Sequence, residues 1–209
     1  MWNEAHVSRR GFPIVISAAS GTGKTSLCRR LLQTMSHTAR SISYTTRPPR
    51  GEEVDGRDYH FVDANTFDRM IRANEFIEWA QVFEHRYGTG FKAVETQLEE
   101  GVDVLLDIDV QGGEQIRERI PEALLIFLLP PSMEELQRRL NNRGTDSLDA
   151  IESRLAKARD EIRRASSYEY LVVNDDFEQA AIDLRAIVRS KRLQRNRRTD
   201  LLERLLATD

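Results

Sequence analysis

Apolar residues along this chain fall into short unbroken runs separated by stretches of helical periodicity. That alternation predicts an α/β fold around a parallel sheet. Phe12, Ile14, Val15 and Ile16 make the first run, residues 102–108 the second, 124–129 (LLIFLL) the third and 169–174 (EYLVVN) the fourth. Each reads as a strand buried on both faces. Between them lie helical patterns. Leu27, Leu31 and Met35 recur at i, i+4, i+8 in 24–35, and residues 92–100 resume a helix. Another runs from Gln111 to about Arg119. Ser132, with Glu134 and Glu135 in the first turn, is a capped helix start. Leu148, Ile151, Leu155, Ala158 and Ile162 mark one face of a helix over 148–165, and 177–187 is amphipathic.

The pattern changes between residues 38 and 91. Residues 39–46 alternate as a strand, and Arg47–Tyr59 is broken by Pro48, Pro49, Gly51 and Gly56 while full of charge. A short strand at 59–62, a helix at 64–73 carrying Phe67, Met70 and Ile71, a strand at 75–80 and a turn at 87–90 follow. This polar, partly β region reads as a lobe inserted into the sheet-bearing domain. The division expected is therefore a core of 11–37, 92–130 and 166–190 behind a loose tail, 1–10. The lobe is 38–91, a helical lid with its following helix is 131–165, and a basic extension ending in a short leucine-rich helix is 191–209.

Charge narrows the partners. With 31 basic against 34 acidic residues and a net charge of −3 in 209 residues, nothing favours bulk binding to nucleic acid or an anionic membrane. The basic run 189–198 reads as a solvated helix end. A single cysteine, Cys28, excludes an internal disulfide and points to a reducing compartment. No stretch has the apolar length of a membrane span and the first ten residues lack a secretory pattern, so a cytoplasmic location is expected.

Candidate chemistry is concentrated in 12–26. An apolar strand ends in Ala18-Ala19-Ser20-Gly21-Thr22-Gly23, and Lys24-Thr25-Ser26 opens a helix. Such a loop curls so that backbone N–H groups and a helix N-terminus surround a phosphate, with the lysine at the outer phosphates and Thr25 offering a hydroxyl to magnesium. Lys24 is otherwise badly placed, because its cation faces the positive end of the helix dipole. Ala18 stands where the usual pattern has its first glycine. Asp107 and Asp109 close the second buried strand, where ligands of α/β sheets bind and where a carboxylate can hold magnesium through water. Arg47 and Arg50, stiffened by two prolines, suit an anion site. Arg139 and Arg143 lie one helical turn apart beside Gly144-Thr145, as a lid that swings arginines over phosphate would place them. Together these residues point to phosphoryl transfer or nucleotide hydrolysis with magnesium, and the arginines near the loops favour transfer between two phosphorylated partners.

The segments Ser41–Phe61, Glu75–Ala80 (EFIEWA), Tyr87–Thr89 (YGT), Asp107–Gly112 and Arg139–Ser147 resemble the guanylate kinase family, and the resemblance runs from Phe12 to about Arg189. It implies a P-loop nucleoside monophosphate kinase fold with a mostly β GMP lobe and a small helical lid, moving the γ-phosphoryl of ATP to GMP or dGMP. It implies that Arg47, Arg50, Tyr59 and Tyr87 hold the GMP phosphate and that Ser43, Glu78 and Thr89 read guanine. Residues 19–26 with Asn174 would bind ATP, and Arg139, Arg143 and Arg154 would reach the phosphates on closure. Asp107, with Thr25, is taken on the magnesium side and Asp109 on the GMP side, a division the sequence leaves open. Arg86 replaces a frequent aromatic and would either add a cation beside the phosphate or point outward. Two rivals share the fold. A ribose 1,5-bisphosphate kinase needs no guanine reader. A phosphopeptide-binding scaffold module typically lacks the working loop that Gly23, Lys24 and Thr25 provide here.

Overall fold

A computed structural model describes residues 9–82, 84–142 and 148–207. Its strands are β1 (Pro13–Ala18), β2 (Thr38–Arg40), β3 (Tyr44–Thr45), β4 (His60–Phe61), β5 (Phe76–Val82), β6 (His85–Gly90), β7 (Asp103–Asp107), β8 (Leu124–Leu129) and β9 (Tyr170–Val173). The helices are α1 (Lys24–Thr34), α2 (Ala64–Arg72), α3 (Phe91–Glu99), α4 (Val110–Arg119), α5 (Met133–Asn141), α6 (Leu148–Arg163), α7 (Phe177–Arg192) and α8 (Thr199–Leu206).

Five strands form a parallel sheet in the order β2-β7-β1-β8-β9. Strand pleating sends alternate side chains to opposite faces. Ile14 and Ile16 of β1 therefore meet Leu27 and Leu31 of α1 and Leu184 and Val188 of α7. Val15 faces the other way, into Val94 and Leu98 of α3 and Ile116 of α4. Residues buried on both sides explain the unbroken apolar runs, and each Ile or Leu so buried contributes about 1.5–3 kcal/mol. This core holds the carboxyl ends of β1 and β7 side by side, with Ile16 opposite Asp107.

A second sheet, β4-β3-β6-β5, is mostly antiparallel and packs Phe76 on Phe67 and Met70 of α2. The helices α5 and α6 form a third cluster in which Leu136, Leu140, Ile151, Leu155 and Ala158 close over Ala19 of the loop after β1.

Four local expectations change. The alternating stretch 39–46 is two strands in two sheets. β2 pairs with β7, the Ser41 N–H still donates to Leu105 O at 3.0 Å, and the chain then crosses so that β3 joins β6. Residues 87–90 are strand, not turn: Gly88 and Gly90 let aromatic rings lie on the sheet. A Cβ on Gly88 would stand 2.9 Å from the Phe76 ring and one on Gly90 3.2 Å from the Tyr44 ring. β9 is an edge strand with Val172 alone buried, since among the described residues no strand lies beyond it. The basic C-terminal run is not simply solvated. α7 continues to Arg192, which donates to the fully buried Asp103 at 2.7 Å, as Arg9 does at 2.8 Å. Arg197 stacks on the Phe12 ring at 4.4 Å. Among the described residues no helix is long and apolar enough to cross a membrane.

Candidate active site

The loop between β1 and α1 has the geometry that anion binding needs. Gly21 and Gly23 both adopt φ +94°, a conformation that a Cβ would strain, and Gly23 starts α1 without any side chain capping the helix. The first N–H groups of α1 are left to face whatever occupies the loop. Ala18 ends β1 as ordinary strand and is not among the positive-φ residues, so its Cβ costs nothing there. Thr25 and Ser26 lie exposed in the first turn of α1. The loop is backed by Asn174, whose amide donates to Thr22 O at 2.6 Å and would stand 2.6 Å from a Cβ on Gly23. Asn174, expected to bind ATP, holds the loop itself.

Lys24 reaches across to the end of β7. Its ammonium lies 2.6 Å from Asp107 and donates to Ile108 O at 3.0 Å. Burial disfavours its charge, but Asp107 more than offsets that, so its pKa is raised and it remains a cation. Asp109 caps α4 by accepting from Gly112 N–H at 3.0 Å. Lys24, Asp107 and Asp109 share the lining of a cavity of ≈ 230 Å³ with Ser43, Tyr59, Glu78 and Tyr87.

Glu78 is the unusual group of that cavity. It is 3 % exposed, accepts from the Thr89 hydroxyl, and packs so closely on α4 that a Cβ on Gly112 would stand 2.5 Å from its Oε2. Burial pushes its carboxyl up to about 7; the Thr89 bond lowers it and Asp109 raises it further. Thr89 is held opposite by the β5–β6 register. A buried acceptor on a strand edge of the cavity is suited to a ligand presenting N–H donors.

Arg47 and Arg50 behave differently. Arg47 is 5 % exposed, lies beside both the Tyr59 and Phe61 rings at 5.4 and 5.8 Å, and feels the Tyr87 hydroxyl. Glu53 accepts from Arg47 at 2.9 Å with one oxygen and from the Arg50 N–H at 2.8 Å with the other. One carboxylate thus bridges the Arg47 guanidinium and the Arg50 backbone N–H. The Arg50 side chain is exposed. Aspartates staple the rest of this loop: Val54 N–H donates to Asp58 at 2.9 Å and Phe61 N–H to Asp55 at 2.8 Å. Arg86 points away, pairing with Asp68, donating to Ala64 O at 3.1 Å and stacking on Phe67 at 5.0 Å.

On α5, Arg139 donates to Glu135 at 2.8 Å and to Asn174 O at 3.1 Å, which puts it beside the residue that backs the phosphate loop. Arg154 is half-buried on α6. Arg143 and the Gly144-Thr145 hinge lie outside the described residues. Sequence reasoning missed Arg40 and Ser41, which line the cavity, Arg40 over the Tyr59 ring at 6.0 Å. It also missed Gln115, whose amide binds the backbone of Trp79. Nothing local marks any of them, for their partners are distant in sequence. A wider depression of ≈ 760 Å³ on the outer face of α7 contains none of the groups described above.

Comparison with known proteins agrees with this geometry. The sequence profile described as guanylate kinase matches residues 10–191. Guanylate kinase of Dechloromonas aromatica is 50% identical over 196 residues, 92% of this chain and 97% of that protein. That of Neisseria meningitidis serogroup B is 48% identical over 198 residues, covering 95% and 97%. A crystal structure of guanylate kinase from Anaplasma phagocytophilum superposes with a TM-score of 0.76 at 35% identity, covering 92% of each chain. With a family profile and relatives that span nearly all of its length, the chain belongs to the guanylate kinase family.

Proposed function

We propose that this guanylate kinase transfers the γ-phosphoryl of ATP to GMP by holding the two nucleotides on either side of the Lys24–Asp107 pair. The observation that carries the reading is the single cavity in which Lys24 and Asp107 share walls with Ser43, Tyr59, Glu78 and Tyr87. ATP phosphates would occupy the loop 19–26, where the Gly21 and Gly23 conformations and the uncapped start of α1 aim N–H groups inward. Lys24 would then exchange Asp107 for the transferring phosphoryl and follow its charge. Asn174 would act by fixing the loop.

GMP would lie with its base at Glu78 and its phosphate toward Tyr59, Tyr87, Arg47 and Arg50. Guanine presents N1–H and N2–H donors, which the two oxygens of Glu78 can accept, while Ser43 and Thr89 supply hydroxyls. Adenine offers an unprotonated N1 there and would leave the carboxylate unmatched, a difference on the order of several kcal/mol. The 2′-position of the ribose is not read by any of these groups, so dGMP should serve as well. Glu53, now bridging Arg47 and Arg50 N–H, would yield to or share them with the incoming phosphate. Arg139, Arg143 and Arg154 would come over the phosphates as α5 and α6 close. This rests on Arg139 already touching Asn174 at the loop. Within 38–91, the part that follows β2 carries the second sheet and would act as the acceptor lobe, with 131–165 as the lid around the parallel core.

Magnesium fits the donor set. The Thr25 hydroxyl and the carboxylates of Asp107 and Asp109 are hard oxygen donors at the phosphate end. Among the described residues no group of three or more His, Cys, Asp or Glu forms a dedicated cage. That sparseness suits an ion bound chiefly by phosphates and water. Bound there, magnesium neutralises phosphate charge during transfer. The chain's own residues align donor and acceptor in line, exclude water and form no covalent intermediate. A coupled ADP-release assay with ATP and magnesium tests the proposal, with GMP, dGMP, AMP and ribose 1,5-bisphosphate as acceptors. Turnover with GMP and dGMP alone is expected. Comparable turnover with AMP or the sugar bisphosphate would overturn it.

A further inference from the structure

β5 carries Glu78 and is the outer edge of its sheet, yet its outer backbone groups are not left to water. The side-chain amide of Gln115 on α4 accepts from Trp79 N–H at 3.2 Å and donates to Trp79 O at 2.7 Å. One amide thereby imitates a neighbouring strand, matching both groups of a single residue. One turn further on, Arg119 donates to Phe76 O at 2.6 Å. Glu78 sits between these two attachments, in a strand whose pairing with β6 is irregular between Phe76 and Glu78. The β5–β6 ladder pairs Glu78 with Thr89 but fixes it only within its own sheet, whereas Gln115 and Arg119 tie that sheet to α4.

The same helix face touches the carboxylate. Gly112 precedes Gln115 by three residues and so lies on the same side of α4. Its missing side chain lets the helix approach Glu78 to within contact. α4 begins at Asp109, which lines the cavity beside Lys24 and Asp107. One rigid helix thus connects the phosphate end of the cavity to the strand that bears Glu78.

We infer that Gln115 is a positioning residue for acceptor recognition: by bonding both backbone groups of Trp79 it sets the distance from Glu78 to the Lys24–Asp107 end of the cavity. This rests on the assignment of Glu78 as guanine reader. Losing two hydrogen bonds of ordinary strength should loosen the seating of Glu78 against α4 and weaken GMP binding about tenfold. ATP binding, which uses the loop 19–26, should not change.

The test compares Gln115→Met, nearly isosteric but without the amide, with the wild type and with Glu78→Gln. Steady-state KM for GMP and for ATP and kcat are measured, with a circular-dichroism melt of each protein. Gln115→Asn is the second variant, polar but one methylene too short to span both Trp79 groups. The expected result is KM for GMP raised about tenfold in both Gln115 variants, with KM for ATP within twofold. A KM for GMP within twofold of wild type, while Glu78→Gln raises it strongly, would overturn the inference and leave the proposed function standing. Equal rises in both KM values would overturn it as well, since they would show general loosening. If Glu78→Gln itself leaves GMP use unchanged, the reader assignment and this inference fall together.

Discussion

Glu78→Gln should make the protein more stable and a worse kinase, and the two effects should follow pH in opposite ways. In the folded chain, burial holds the Glu78 carboxyl near 7, against 4.5 for an unperturbed glutamate. Keeping it ionised above pH 7 costs about 3 kcal/mol at ~1.4 kcal/mol per pH unit. Because the folded value is the higher one, the unfolded chain binds fewer protons between pH 4.5 and 7. This group therefore lowers stability progressively as pH rises through that window, with the full cost present above about 7. A neutral glutamine still accepts from Thr89 and carries no such cost. At pH 8 it should raise the melting temperature by several degrees, taking about 2–4 °C per kcal/mol for a chain of this size. At pH 5 the gain should shrink to about 1 kcal/mol or less.

Binding runs the other way. Only the ionised carboxylate accepts both guanine donors. With a value near 7 the ionised fraction is about one-eleventh at pH 6 and ten-elevenths at pH 8, so wild-type GMP affinity should improve about tenfold across that range. The second ionisation of the GMP phosphate, near 6, affects both proteins alike, and the ratio of wild-type to variant affinity isolates Glu78. Calorimetric titration at pH 6, 7 and 8, beside thermal melts at pH 5 and 8, reads both effects. A ratio flat with pH, or a variant that melts lower at pH 8, would refute the reasoning.

Other outcomes follow from the same geometry. Lys24→Ala should lower kcat by about 10²–10³ with the melting temperature nearly preserved, as loss of a charge-following donor does; unchanged single-turnover rates would exclude it. Chelating magnesium should stop ADP release without shifting the melt of the nucleotide-free protein, and residual turnover in excess chelator would contradict the donor set. Asp103→Asn leaves Arg9 and Arg192 without the buried carboxylate they share. It should cost about 3–5 kcal/mol in urea unfolding while KM for GMP stays within twofold, and a loss under 1 kcal/mol would show that Arg192 does not latch the helix.

Much of the fold and part of the site could be read from local pattern, and the residues themselves explain the division. Strands β1, β7 and β8, the Ser132 cap and the loop before α1 are encoded within a few positions of one another, and each was legible. The split at 39–46 was not, because β2 and β3 alternate alike and only distant partners, Leu105 and Tyr87, decide their sheets. The glycines of β6 read as a turn because the rings of Phe76 and Tyr44, which require them, lie elsewhere in the chain. Among charged residues, Lys24 announced itself by facing a helix dipole that repels it, without a sufficient reason within its own element, whereas Glu78 entered only through the family resemblance. Arg192 sits in the last turn of α7, where a cation is favoured, and Gln115 is an ordinary helix residue. Local propensity is already satisfied there, so nothing in the neighbouring sequence signals that Asp103 and Trp79 depend on them. A side chain at odds with its own element points to a ligand, whereas one at ease in its element can carry a long-range attachment without any local trace.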